Sequence, residues 1–149
     1  MAKSFGNINV TAPEKLLNIL LVEDDEVDVM NVRRAFQKNH ITNPLFVATN
    51  GVDALEQLRG GKIPRDRRIV LLDLNMPQMN GIEFLREIRR DPELNLMPVV
   101  VLTTSNDERD RIEAYNLNVA GYLLKPVTFS NFCEVMAALN KYWALVELP

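Results

Sequence analysis

The sequence predicts an α/β fold: a doubly wound, five-stranded parallel sheet with helices on both faces. Short apolar runs recur at Asn18–Val22, Leu45–Ala48, Ile69–Asp73, Val99–Leu102 and Gly121–Leu124. Such continuous runs, without polar alternation, are expected of strands buried on both faces. Each is followed by a stretch with helical apolar spacing, and the links are short. Strand–helix alternation of this kind implies right-handed crossovers.

In chain order, residues 1–16 read as an N-terminal arm without periodicity, and residues 17–149 as one domain. After the first strand, Asp25 can cap a helix to about Asn39, with Val29, Val32 and Phe36 on its inner face. Asn50 can cap a second helix carrying Val52, Leu55 and Leu58, which stops at Gly60-Gly61. The basic loop Lys62–Arg68 (KIPRDRR) reads as solvated. A third helix from about Gly81 to Arg90 buries Phe84, Leu85 and Ile88, and the charged stretch Asp107–Leu117 is the fourth. Thr128 caps a last helix running to about Trp143.

The 149 residues suffice for one domain with a full core. Apolar content of 47% and charged content of 25% are those of a soluble globular protein. The net charge of −3 argues against a nucleic-acid partner. Cys133 is the only cysteine, which rules out an internal disulfide. No apolar run is long enough for a membrane span, and the N-terminal stretch lacks a signal core, so a cytoplasmic location is expected.

Function is expected at the carboxyl edge of the sheet, where ligands bind in open α/β folds. In the flavodoxin-like order 2-1-3-4-5, strands one and three are neighbours, so VEDD (Glu23, Asp24, Asp25) and Asp73 meet there. Clustered carboxylates repel, and a magnesium ion held by Asp24, Asp73 and the main-chain carbonyl of Asn75 would remove that penalty. The alternative is an acidic patch that merely holds counterions. Lys125 argues against it, because Lys125 ends the fifth strand, and a cis bond to Pro126 would turn it toward Asp73. Thr103 adds a hydroxyl to the same rim. A nucleophilic carboxylate, a metal, a cation and a hydroxyl are what phosphoryl transfer to Asp73 requires.

The set VEDD, DLNMPQMNG, LTTS and GYLLKP resembles the receiver domains of two-component response regulators, over roughly Leu17 to Trp143. The resemblance implies that Asp73 is the phosphoacceptor and Asp24 a metal ligand, with Glu23 acting through water. It also implies that Thr103 and Lys125 hold the phosphoryl group and that Tyr122 is the switch aromatic. Phosphorylation would then draw the Thr103 hydroxyl inward and let Tyr122 rotate. The segments EDDEVDVMNVRRAF and PVVVLTTSNDERD look like the stand-alone regulators that pair with cyanobacterial phytochrome histidine kinases. The single histidine, His40, lies in a polar turn, so the phosphohistidine donor is expected to be another protein.

A dehalogenase-type phosphatase would need a second acid two residues after Asp73, where Asn75 stands. A nucleotide binder would need a glycine-rich phosphate loop, which follows none of the strands. A signalling module that acts through protein contacts, without enzymatic turnover, is the expected function. Asn75 and Ser105 are placed to tune attacking water. The last helix carries one stripe of Phe129, Phe132, Met136, Leu139 and Trp143 and a second of Val135, Ala138 and Tyr142, followed by Leu145, Val146 and Leu148. A surface helix needs one apolar face, so the second stripe predicts a homodimer, with the charges of Asp107–Leu117 pairing across the two-fold axis.

Overall fold

A computed structural model describes residues 16–125 and 128–146. The strands are β1 (Asn18–Val22), β2 (Leu45–Ala48), β3 (Arg68–Leu72), β4 (Val99–Thr103) and β5 (Gly121–Leu124). The helices are α1 (Glu26–Lys38), α2 (Gly51–Arg59), α3 (Gly81–Arg90), α4 (Glu108–Asn116) and α5 (Phe129–Leu145). The strands form one parallel sheet in the order β2-β1-β3-β4-β5, as the alternation predicts.

Strand residues alternate between two apolar layers. Leu20, Val22, Val70, Leu72, Val99 and Val101 face α2, α3 and α4, which contribute Leu55, Leu58, Phe84, Leu85, Ile88 and Ala114. Ile19, Leu21, Ile69, Leu71, Val100 and Leu102 face α1 and α5, which contribute Val32, Phe36, Cys133 and Met136. Both layers are filled, so β1, β3 and β4 are apolar throughout their middles, and polar residues stand only at their ends: Asn18, Arg68 and Thr103.

The caps explain where the helices begin. The Asp25 carboxylate accepts from the amides of Val27 and Asp28, Asn50 accepts from Asp53, and Thr128 accepts from Asn131. Asn80 and Glu83 form a reciprocal capping box at α3.

Three local expectations are corrected. Val52 is exposed, and the buried stripe of α2 is Gly51, Ala54, Leu55 and Leu58. The shift arises because Gly51 packs beneath Met79, whose carbonyl accepts its amide at 3.1 Å. The basic loop is not simply solvated, since Ile63 and Arg68 are buried. Arg67 donates to the carbonyls of Trp143 at 2.8 Å and Val146 at 3.2 Å. Those two bonds satisfy the free end of α5, which accordingly runs to Leu145, past the expected stop at Trp143. Residues 1–15 of the N-terminal arm, Pro126 and the tail beyond Val146 lie outside the described residues, as do the side chains of Phe129 and Phe132.

Candidate functional site

Strand register assembles the site. Val22 pairs with Leu72, so Glu23 and Asp73 leave the sheet side by side, and the Asp73 amide donates to the Val22 carbonyl at 3.0 Å. Thr103 pairs with Leu124, so Lys125 is the next residue out, its amide on the Thr103 carbonyl at 2.7 Å. Parallel pairing thus brings an acid pair, an aspartate, a threonine and a lysine to one edge.

Carboxylate oxygens of Glu23, Asp24 and Asp73 all lie within 4.8 Å of one another. Glu23 and Asp73 are buried and Asp24 is exposed, so the cluster opens to solvent on the Asp24 side. Three hard oxygen donors at this separation fit a divalent cation of the magnesium or manganese class. Burial, against the pull of Lys125, pushes the Glu23 carboxyl up to about 7. A bound cation would reverse that push by favouring the ionised form.

Asp73 is held in one rotational setting. Its Oδ1 accepts from the Thr103 hydroxyl at 2.8 Å and from the Asn75 amide at 3.1 Å. Its Oδ2 faces the Lys125 ammonium at 3.7 Å. Lys125 lies nearer to two other carboxylates, Glu23 at 2.5 Å and Asp28 at 2.8 Å. Burial lowers the Lys125 pKa, but its hydrogen bonds to Asp28 and Glu23 outweigh that and raise it overall. The expected turn of the lysine toward Asp73 is therefore only part of its environment. Asp28 is a site residue that the sequence reading passed over. The signal was available, because Asp28 sits one turn beyond the Asp25 cap and so faces back over the strand ends.

Thr103 is fully buried and already bonded to Asp73. Its hydroxyl points toward Asp73 in this structure. Tyr122 lies opposite Val101 and packs against the α2–α3–α4 layer, and its hydroxyl donates to the Ser105 carbonyl at 3.0 Å. The Arg111 guanidinium stands 5.5 Å from its ring centroid. The Ser105 hydroxyl donates to Asp110 at 2.6 Å, and the Asn75 amide group donates to the Thr104 hydroxyl at 3.1 Å. Asn75 is therefore tied to the loop after β4, and Ser105, which lies in that loop, is tied to α4. The charges of α4 are also engaged within the chain: Arg109 pairs with Asp107, Glu113 with Arg86, and Arg111 bonds Asn106. His40 is exposed, and Cys133 is a buried free thiol.

Gly81 sets how closely the loop carrying Asp73 can pass α3. A Cβ there would stand 2.6 Å from the Leu74 Cα and 2.7 Å from the Asp73 carbonyl oxygen. Neither backbone atom can yield without moving Asp73. We expect Gly81→Ala to destabilise the fold by about 1–3 kcal/mol, the usual cost of overpacking. Thermal denaturation would check this, and an unchanged melting temperature would mean that the loop has slack.

The fold and this edge define the class: the chain belongs to the response regulator receiver domain family, whose model matches residues 19–137. Among individual relatives, it is 38% identical over 148 residues to the probable methanogenesis regulatory protein FilR2 of Methanothrix harundinacea (strain 6Ac), covering 96% of this chain and 94% of that one. It is similar to the crystal structure of the phosphorylated cyanobacterial phytochrome response regulator RcpA. That match has 32% identity and a TM-score of 0.79, covering 91% of this chain and 99% of the other. The Mn(2+)-bound form of response regulator Rcp1, a protein of Synechocystis sp., matches at 36% identity and a TM-score of 0.76, with 89% and 99% covered. None of the helices among the described residues is long and apolar enough to cross a membrane.

Proposed function

We propose that this response regulator takes a phosphoryl group onto Asp73 from the phosphohistidine of a separate histidine kinase. One arrangement carries the reading: Asp73 has Thr103 on one oxygen, Lys125 facing the other, and the Glu23–Asp24 pair beside it. Oδ2 is the attacking oxygen, because Oδ1 already accepts two hydrogen bonds. The phosphorus–nitrogen bond of the donor breaks as the phosphorus–Oδ2 bond forms, and the histidine leaves with the electron pair. Glu23, Asp24, Asp73 and the Asn75 carbonyl would hold magnesium, with Glu23 acting through water. The ion would supply charge neutralisation on the phosphoryl oxygens. Lys125 and the Thr103 hydroxyl then bind those oxygens, a positioning and electrostatic role that matches the needs of phosphoryl transfer.

The output is a change of surface with no enzymatic turnover. Phosphate on Asp73 competes with it for the Thr103 hydroxyl, and Tyr122, tied to Ser105 on the same loop, reports the rearrangement to α4 and β5. The likeness to RcpA supports a phytochrome kinase as donor. We place the protein in the cytoplasm, with an arm at residues 1–16, a receiver at 17–149, and protein rather than nucleic-acid or membrane partners. Incubation with magnesium and acetyl phosphate, followed by intact mass, tests the chemistry. Transfer from a phosphorylated phytochrome kinase against an unrelated histidine kinase tests the partner. Equal rates from both would remove the phytochrome assignment and leave the phosphorelay reading standing.

The homodimer rests on the outer side of α5, where Tyr142 is 60% and Leu145 80% exposed. Leu139 and Trp143 of the first stripe pack against the core as expected, and so does Val135 of the second, so the free stripe is narrower than the sequence pattern implies. Sedimentation at micromolar concentration should show a dimer that Tyr142→Asp converts to monomer. A wild-type monomer would end this part of the proposal.

A further inference from the structure

The pole of the sheet opposite Asp73 holds a second group of charges. Arg68 opens β3 and Asp73 follows its last residue, which separates the two poles by about 17 Å at the usual rise per residue. Arg65, Arg67 and Arg68 line a groove of about 180 Å³ whose other wall includes Glu93, Leu96 and Pro98. Arg68 is 9% exposed, yet its Nη1 is buried with no hydrogen-bond partner among the described residues. The Nε of Arg67 is likewise buried and unpartnered, while its two terminal nitrogens hold the α5 carbonyls. Glu93 is the only carboxylate lining the groove, and it bonds Arg65 at 3.0 Å on the exposed rim. Among the described residues three guanidiniums therefore share one carboxylate, which bonds Arg65 and acts on the deepest, Arg68, without a salt bridge to it. Burial first, and then the charge of Arg65, lower the pKa of Arg68 below the ordinary arginine value.

Buried polar groups without partners are rare in folded proteins, and a buried charge without one is rarer. The groove has the makings of a site: a buried, unpartnered guanidinium in its lining, a second held in place by a helix end, and open access from solvent. We propose that it binds a phosphoryl group, as inorganic phosphate or as the terminal phosphate of a small solute. A dianion matches the two guanidiniums that Glu93 leaves uncompensated. Guanidinium forks meet phosphate oxygens in paired hydrogen bonds, which a chloride ion cannot offer. The groove is well above the size that holds a single water, and so has room for a phosphoryl group. Leu96, 71% exposed, and Pro98 supply an apolar shelf beside it.

The test titrates inorganic phosphate into the metal-free wild-type protein at constant ionic strength, read by residue-resolved amide chemical shifts. Saturable shifts are expected at residues 65–68 and 95–97 in the millimolar range. Arg68→Met should weaken binding by about tenfold or more, equivalent to ~1.4 kcal/mol. The same variant carries a readout that a merely structural arginine would not give. Without phosphate it should melt at or above the wild type, because an unpaired buried charge has gone, and saturating phosphate should reverse that order. Arg65→Gln, at an exposed position, should weaken binding severalfold and serves if Arg68→Met does not fold. Acetate should bind at least about tenfold more weakly than phosphate. Shifts confined to residues 23–25 and 73–75, equal affinity in wild type and variants, or no saturable binding would each overturn the site. Equal binding of acetate would overturn its assignment to phosphoryl groups.

Discussion

Asp73→Asn is expected to abolish covalent labelling by acetyl phosphate or by a phosphorylated histidine kinase, while the fold persists. The effect should be complete, because amidation removes the nucleophilic oxygen and leaves no second carboxylate in the same setting. Asp24 is exposed, and Glu23 is hydrogen-bonded to Lys125 and to the Asp25 amide, so neither is held as Asp73 is. The asparagine can still accept from Thr103 and from the Asn75 amide through its carbonyl oxygen, which preserves the loop. Removing one of several clustered carboxylates also lowers their repulsion, so the melting temperature should hold or rise slightly. Labelling should likewise vanish on metal chelation and return with magnesium. Intact mass before and after donor, with circular dichroism as the folding control, reads the result. A phosphorylated Asp73→Asn protein, at more than trace level, would move the phosphoacceptor elsewhere.

Much of this edge can be read from the chain because parallel register turns sequence position into place. Apolar runs that end on Glu23, Asp73, Thr103 and Lys125 are strands whose next residues must emerge together. Helix starts were equally legible where one side chain decides them, as at Asp25, Asn50 and Thr128. What could not be read depends on contacts between distant segments. Val52 fits a helical stripe as well as Ala54 does, and only the approach of Met79 to Gly51 selects the latter. The extra length of α5 depends on Arg67, 76 residues away from Trp143 in sequence. Arg68 looks like one more solvated charge in a basic loop, and its burial follows from being the first residue of a central strand. Glu113 of α4 likewise finds its in-chain partner in Arg86, on another helix.

The largest effect on stability is expected at Lys125. Among the described residues its ammonium is the one cation paired with Glu23, Asp28 and Asp73, at 2.5, 2.8 and 3.7 Å. Lys125→Met keeps most of the side-chain volume and removes the charge. Glu23, 3% exposed, is then left buried without its partner, a change that typically costs about 3–5 kcal/mol. Asp28 is partly open to water and contributes less. We expect a loss of about 3 kcal/mol at pH 8 in metal-free protein. The loss should depend on pH, and its sign follows from Glu23. Its folded value of about 7 lies above the 4.5 of a free glutamate, so its ionisation opposes folding, and stability falls as pH rises from 4.5 through 7. In the variant the lowering influence of Lys125 is gone, so the folded value rises further and the fall continues to higher pH. Near pH 5 Glu23 stays protonated in the folded variant, and the loss should shrink to about 1 kcal/mol of altered packing. Magnesium at pH 8 should recover much of the difference, since the ion replaces the missing charge among the same oxygens. Denaturant unfolding at pH 5 and pH 8, with and without magnesium, measures all of these terms. A loss of the same size at both pH values, untouched by magnesium, would mean that Lys125 acts through packing and not as the counter-charge of the acid cluster.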